Sequence, residues 1–320
     1  MSAGFGERLY PIGALSEREV AEIRTDPLCA DDVGIDALMS EWHAKSDIFR
    51  SLPREPLGVL DSDLLPLNLS AQIEEKVQTL LSSYRVYLPN TYDLALVPIS
   101  RLVSPQKYIH QEHARSSFDG VSRMLTDDEN ARFCIGTPVR DAKIDAAFLG
   151  CPKGETAEEF NFLYQFSSDD QNIRYIPPMP LKPLQDLDIA DGSAANYGVK
   201  AVTVSVGPGL PFVHILKVPV GLDGIGRRPV FRLIIANGVH RIFRLAELGN
   251  THVAALVQTM DWQELPPTFI ETPRDLLLGP GALKVTDMVN GAITRTFRWK
   301  KSKRVIKLQV KVLQDVSFVT

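Results

Sequence analysis

Between residues 16 and 85 the apolar positions recur at helical spacing. In SEREVAEIR, Ser16 is placed as an N-cap with Glu19 three residues on, the reciprocal pairing of a capping box. In GIDALMSEWHAKSDIFRSL, the residues Ile35, Leu38, Met39, Trp42 and Ile48 follow a helical period. In SAQIEEKVQTLLSSYR, from Ser70 to Arg85, so do Ile73, Val77, Leu80 and Leu81. Pro53, Pro56, Pro66 and Pro89 mark the breaks. Residues 1–90 are therefore predicted to form a largely helical N-terminal region.

The pattern then changes. LALVPISRLVSP reads as a short apolar strand entering a turn, and the polar sequence from Gln106 to Glu129 marks a boundary. Residues from about 119 to 199 are mixed and contain SSDDQN and the proline-rich YIPPMPLKPLQDLD, an extended surface segment by composition. They are predicted as an insertion. Strand patterns return in VKAVTVSVG, FVHILKVPVG, RPVFRLIIA and THVAALVQ, with Gly207, Pro208 and Gly209 as the turn between the first two. A core over residues 91–265 and a basic, β-rich tail over 266–320 complete an α/β (α+β) organisation. No internal repeat is evident.

At the end of RPVFRLIIA the residues Asn237, Gly238, Val239, His240 and Arg241 interrupt the strand. A helix starts there, and Gly249-Asn250 ends it. The first amides of such a helix have no intrahelical acceptor, a glycine lets the backbone approach a ligand closely, and the helix N-terminus is partially positive. His240 and Arg241 add side chains that bind phosphate oxygens. Asn237, Gly238, His240 and Arg241 thus form a candidate phosphate site. An ordinary loop with two solvated basic residues fits the local sequence equally well.

In their order these segments resemble the ParB/sulfiredoxin-like superfamily, whose members carry a G-x-H-R or G-E-R-R box at a strand-to-helix junction. LVPISRLVSPQKYIHQEHA is similar to the family's first box, PFVHILKVPVG to its intervening strand, and RIFRLAELG with THVAALVQ to its closing helix and strand. The resemblance covers roughly residues 94–118 and 210–258. It implies a ParB/sulfiredoxin-like core binding a nucleoside triphosphate, ATP or CTP with Mg²⁺. It further implies phosphoryl transfer, nucleotide hydrolysis or nucleic-acid processing, so that a triphosphatase, a kinase or a nuclease is in view.

Two departures narrow this. Sulfiredoxin has a cysteine between the Gly and the His of its box, and Val239 is no thiol nucleophile. ParB clamps have Glu and Arg where this chain has Val239 and His240, followed by a helix-turn-helix domain with no counterpart in residues 266–297. Within YIHQEHARSS, which aligns with the family's nucleotide-contacting segment, Glu112 is the candidate acid/base, since a carboxylate beside a bound triphosphate can hold a metal ion or accept a hydroxyl proton, while the metal ligands themselves are left unassigned. A solvated loop is the competing reading. His110 and His113 are not assigned as metal ligands.

The tail concentrates Arg298, Lys300, Lys301, Lys303 and Arg304 around Phe297 and Trp299. On a strand pair this makes a surface for DNA or RNA phosphates and exposed bases, or simply the charged outer face of an amphipathic hairpin. A non-catalytic nucleic-acid-binding or protein-interaction module is accordingly the alternative to an enzyme. The net charge of −4 argues against general attraction to polyanions, so any such contact is local. Three cysteines, Cys29, Cys134 and Cys151, lack metal-site spacing, and no leader or membrane-length apolar run is apparent. A cytoplasmic protein without membrane partners is expected.

Overall fold

The computed structural model describes residues 5–53, 58–83, 91–116, 125–135, 145–150, 159–168, 174–176, 205–207, 211–224, 228–265, 274–279, 281–301 and 304–313. The chain divides into two compact units. The first joins residues 1–83, 89–137 and 210–301, and the second joins 84–88, 138–209 and 302–320. The N-terminal region and most of the segment read as a tail therefore belong to one body with the predicted core.

Strand β1 (Phe5–Tyr10) opens the first unit, with Phe5 and Glu7 exposed and Leu9 and Tyr10 buried. Helix α1 (Glu17–Thr25) starts at the predicted capping box: the Glu19 amide donates to Ser16 Oγ at 3.3 Å, and the Ser16 amide donates to Glu19 Oε2 at 2.7 Å. Helix α2 (Ile35–Ser51) buries Leu38 and Trp42, whose indole N–H donates to the Leu15 carbonyl at 2.9 Å. Ile35 and Ile48, at the ends of the predicted face, are exposed. After β2 (Leu65–Pro66), helix α3 (Ala71–Ser83) buries Ile73, Val77 and Leu81.

Strands β3 (Asp93–Pro98), β4 (Leu102–Val103) and β5 (Ile109–His110) lead into α4 (Gln111–Ser116) and α5 (Asp127–Cys134). Helix α4 lies in sequence read as polar, and α5 lies in the segment predicted as an insertion. A second capping box, Thr126 with Glu129, sets the start of α5. In the second unit lie β6 (Asp145–Gly150), β7 (Glu159–Ser168), β8 (Arg174–Ile176) and β9 (Ser205–Gly207). The first unit resumes with β10 (His214–Leu222), β11 (Pro229–Asn237), α6 (Val239–Glu247), β12 (His252–Thr259), α7 (Arg274–Leu278), α8 (Val285–Val289) and β13 (Arg295–Lys300). Strand β14 (Arg304–Leu313) returns to the second.

Among the described residues the first unit carries a six-stranded mixed sheet, ordered β2-β3-β12-β10-β11-β4, and a three-stranded antiparallel sheet, β13-β1-β5. Within the former, β10 runs parallel to β12 and β11 parallel to β4. Ile215, Leu216, Val218, Leu233, Ile234, Ile235 and every residue from Val253 to Val257 are buried. The apolar runs Leu233–Ile235 and Val253–Val257 suit central strands covered on both faces. Each enclosed Val, Leu or Ile side chain contributes about 1.5–3 kcal/mol through removal from water.

A second core joins Tyr10, Ile12, Leu15, Val20, Ile23, Leu38 and Trp42 to Phe297 and Trp299. It ties the N-terminal helices to β13. The hairpin predicted from the basic stretch does not form, because β13 pairs with β1, from Phe5 opposite Lys300 to Tyr10 opposite Arg295, while β14 pairs with β7. The second unit contains the antiparallel sheet β14-β7-β6 and the pair β8-β9. Most of the proline-rich segment lies outside the described residues.

Candidate functional site

The junction between β11 and α6 is built by three straps. Gly238 occupies the N-cap of α6 with φ 94° and ψ 16°, and no side chain caps the first turn. A Cβ on Gly238 would lie 2.8 Å from Val213 Cγ2 and 3.2 Å from Val213 Cα, so the residue is glycine both for its left-handed backbone and for this close approach. The Asn237 side-chain amide donates to the Phe212 carbonyl. The carbonyl of Cys134, the last residue of α5, accepts the Val213 amide at 2.8 Å and Arg241 Nη1 at 3.0 Å.

Arg241 is therefore aimed inward. The sequence alone places it beside His240 in an open anion fork, whereas its guanidinium is anchored on the α5 terminus, where the helix dipole is negative. Burial lowers its pKa from the ordinary arginine value, an effect partly opposed by Cys134. The enclosed Cys134 thiol is in turn pushed up to about 12 by burial and is no thiolate nucleophile.

His240 points elsewhere. Its Nε2 accepts the backbone N–H of His110 at 3.2 Å. The two imidazoles stack with centroids 5.9 Å apart and planes 20° from parallel, and His113 meets His240 edge-on at 5.0 Å. Tyr108 meets His110 edge-on at 5.1 Å, and the Arg8 guanidinium lies between the rings of Tyr108, at 4.6 Å, and Trp299, at 4.0 Å. To accept that bond, Nε2 must carry no proton. The sequence singles out each of these histidines separately. Their meeting depends on the packing of β5 and α4 against α6, which no local pattern encodes. Among the described residues no group of three or more His, Cys, Asp or Glu is arranged to hold a metal ion.

Glu112, on α4, has a side chain 52% exposed, with Oε2 2.9 Å from Lys301 Nζ. It is an open, screened ion pair rather than a buried carboxylate. A tighter network lies further along α6, where Glu247 accepts Arg115 and Arg244, each at 2.7 Å. Burial raises the Glu247 pKa, but the two arginines outweigh it and hold the carboxyl below its usual range.

The basic residues separate. Arg298 and Lys300 alternate outward on β13. Arg298 faces Glu7 across the β1 pairing with its guanidinium over the Phe5 ring at 4.7 Å, and Lys300 donates to the Pro27 carbonyl at 3.3 Å. Phe297 and Trp299, 0% and 4% exposed, point into the core and are not available to stack on bases. Lys303 lies outside the described residues, and Arg304 begins β14 in the second unit. No helix among the described residues is long and apolar enough to cross a membrane.

Comparison of the chain with protein-family models, with curated proteins and with solved structures gave no match.

Proposed function

We propose that this chain binds a nucleoside triphosphate, ATP or CTP with Mg²⁺, by its phosphates at the β11–α6 junction of a ParB/sulfiredoxin-like core. The observation that carries this reading is the left-handed Gly238 at the N-cap of α6, which has no side chain to cap the first-turn amides. The amides of that turn, together with the helix dipole, are the primary anion donors. His240 supplies a ring N–H, Asn237 holds the turn, and Arg241 positions it through Cys134 while adding a buried positive charge.

Mg²⁺ takes one or two carboxylates, phosphate oxygens and water, and Glu112 fits that demand as a single exposed carboxylate. Freed from Lys301, the same group is the proton acceptor for hydrolysis or phosphoryl transfer, with nucleic-acid processing as the third outcome. The cytoplasm, with its triphosphates and reducing conditions, suits the free thiols Cys29 and Cys134. The outward Arg298, Lys300 and Lys301 support the other reading, a module that binds DNA, RNA or a protein without catalysis.

Calorimetric titration of the full chain with ATP and with CTP, each with and without Mg²⁺, tests the proposal. His240→Ala is expected to weaken binding roughly tenfold, the worth of one charge-assisted contact. No binding of either nucleotide at millimolar concentration overturns the proposal and leaves the non-catalytic module.

A further inference from the structure

The bond from the His110 amide to His240 Nε2 exists only while His240 is neutral, because a protonated imidazole has two donors and no acceptor. Two further histidines approach the same ring at 5.9 Å and 5.0 Å. An imidazole changes charge in the physiological pH range. His240 also sits in the first turn of α6, where a cation opposes the helix dipole unless an anion is bound. The His110–His240 contact therefore joins proton uptake at His240 to the packing of β5 and α4 against the proposed phosphate site.

Among the described residues, the charged groups on the elements packed against α6 have partners of their own. On α4, Glu112 pairs with Lys301 and Arg115 with Glu247; on α6 itself, Arg244 pairs with Glu247 and Arg241 donates to Cys134. On α8, which also packs against α6, Asp287 accepts the Lys284 amide at 2.9 Å. On β1, opposite His110, Arg8 lies between two aromatic rings.

We infer that His240 and the backbone amide of His110 form a proton-operated latch on this site. With His240 neutral, the His110 amide closes the latch. When Nε2 takes a proton from water, donor faces donor, the bond opens, and the imidazolium presents its N–H to a phosphate oxygen. Protonation and phosphate binding then favour each other. The ligand half of this inference rests on the proposed phosphate reading; the latch half does not.

Amide hydrogen exchange at His110, followed by NMR in the full chain without ligand and corrected for the intrinsic pH dependence of exchange, reads the latch directly. Between about pH 8 and pH 5, protection of this amide is expected to fall roughly five- to tenfold, the worth of one hydrogen bond. His240→Gln keeps an acceptor that does not titrate, and its His110 amide is expected to keep the same protection at both pH values. Equal protection in the wild-type chain at both pH values overturns the inference, as does an equal loss in His240→Gln. ATP titrations at the same two pH values read the ligand half, with tighter binding expected at the lower pH in the wild-type chain only. If no nucleotide binds while His110 protection changes as expected, the phosphate reading fails and the latch stands. If nucleotide binds equally at both pH values, the inferred linkage falls.

Discussion

Gly238→Ala is the most informative single change in the first unit. The backbone at this position has φ 94°, and a left-handed conformation costs an L-residue about 1–2 kcal/mol. The added methyl would also sit 2.8 Å from Val213 Cγ2, well inside the ordinary carbon–carbon separation of about 3.5–4.0 Å. Val213 has little room to retreat, since it is fully buried and its amide is bonded to the Cys134 carbonyl at 2.8 Å. Overpacking of this kind costs about 1–3 kcal/mol. The lower entropy of the unfolded alanine chain offsets about 0.4–1 kcal/mol. The net expected loss is about 2–4 kcal/mol, read as a lowered urea midpoint at constant m.

A double-mutant cycle separates the two causes. Val213→Ala removes Cγ2, so in that background Gly238→Ala keeps its backbone cost but loses most of its steric cost. The difference between backgrounds is expected to be about 1 kcal/mol or more. A loss below about 1 kcal/mol for the single variant, or an identical loss in both backgrounds, refutes the account of this turn.

Arg241→Ala is expected to lower the unfolding free energy by about 2 kcal/mol, because it removes a charged donor from the Cys134 carbonyl; an unchanged urea midpoint means that the guanidinium is not anchored there. His214, bonded through Nε2 to Gln258 Oε1 at 3.1 Å, has its pKa lowered by burial from 6.5 to about 4. The unfolded chain then binds the extra proton first, so the stability His214 contributes is complete above pH 6.5 and is lost as the pH falls towards 4. At most about 3 kcal/mol is at stake. The difference in unfolding free energy between wild type and His214→Gln is expected to change across this window, and a constant difference refutes it.

What the sequence made legible was mostly what neighbouring residues determine. Ser16 with Glu19 starts α1, and Gly238 and Gly249 bracket α6, because these signals act over three or four residues. The Thr126–Glu129 box is equally local, but the acidic sequence around it hides the start of α5. The strand β1 was missed for another reason. Its long pairing partner is β13, near the other end of the chain, and its six residues alternate too weakly to reveal it alone. The alternation in RTFRWK separates Phe297 and Trp299 from Arg298 and Lys300, but only the core containing Tyr10 and Trp42 decides which side faces inward.

The same limit explains the division of labour between His240 and Arg241. Consecutive helical residues point about 100° apart, so two adjacent bases leave the backbone in different directions. Packing turns Arg241 onto the carbonyl end of α5 and His240 onto the amide of His110. The first is a permanent charge on a permanent acceptor, and pH has no purchase on that contact. The second is a titratable ring on a donor that tolerates only its neutral form. If the first turn of α6 responds to its surroundings, His240 is the residue through which it does so, and Arg241 is what keeps the turn in place meanwhile.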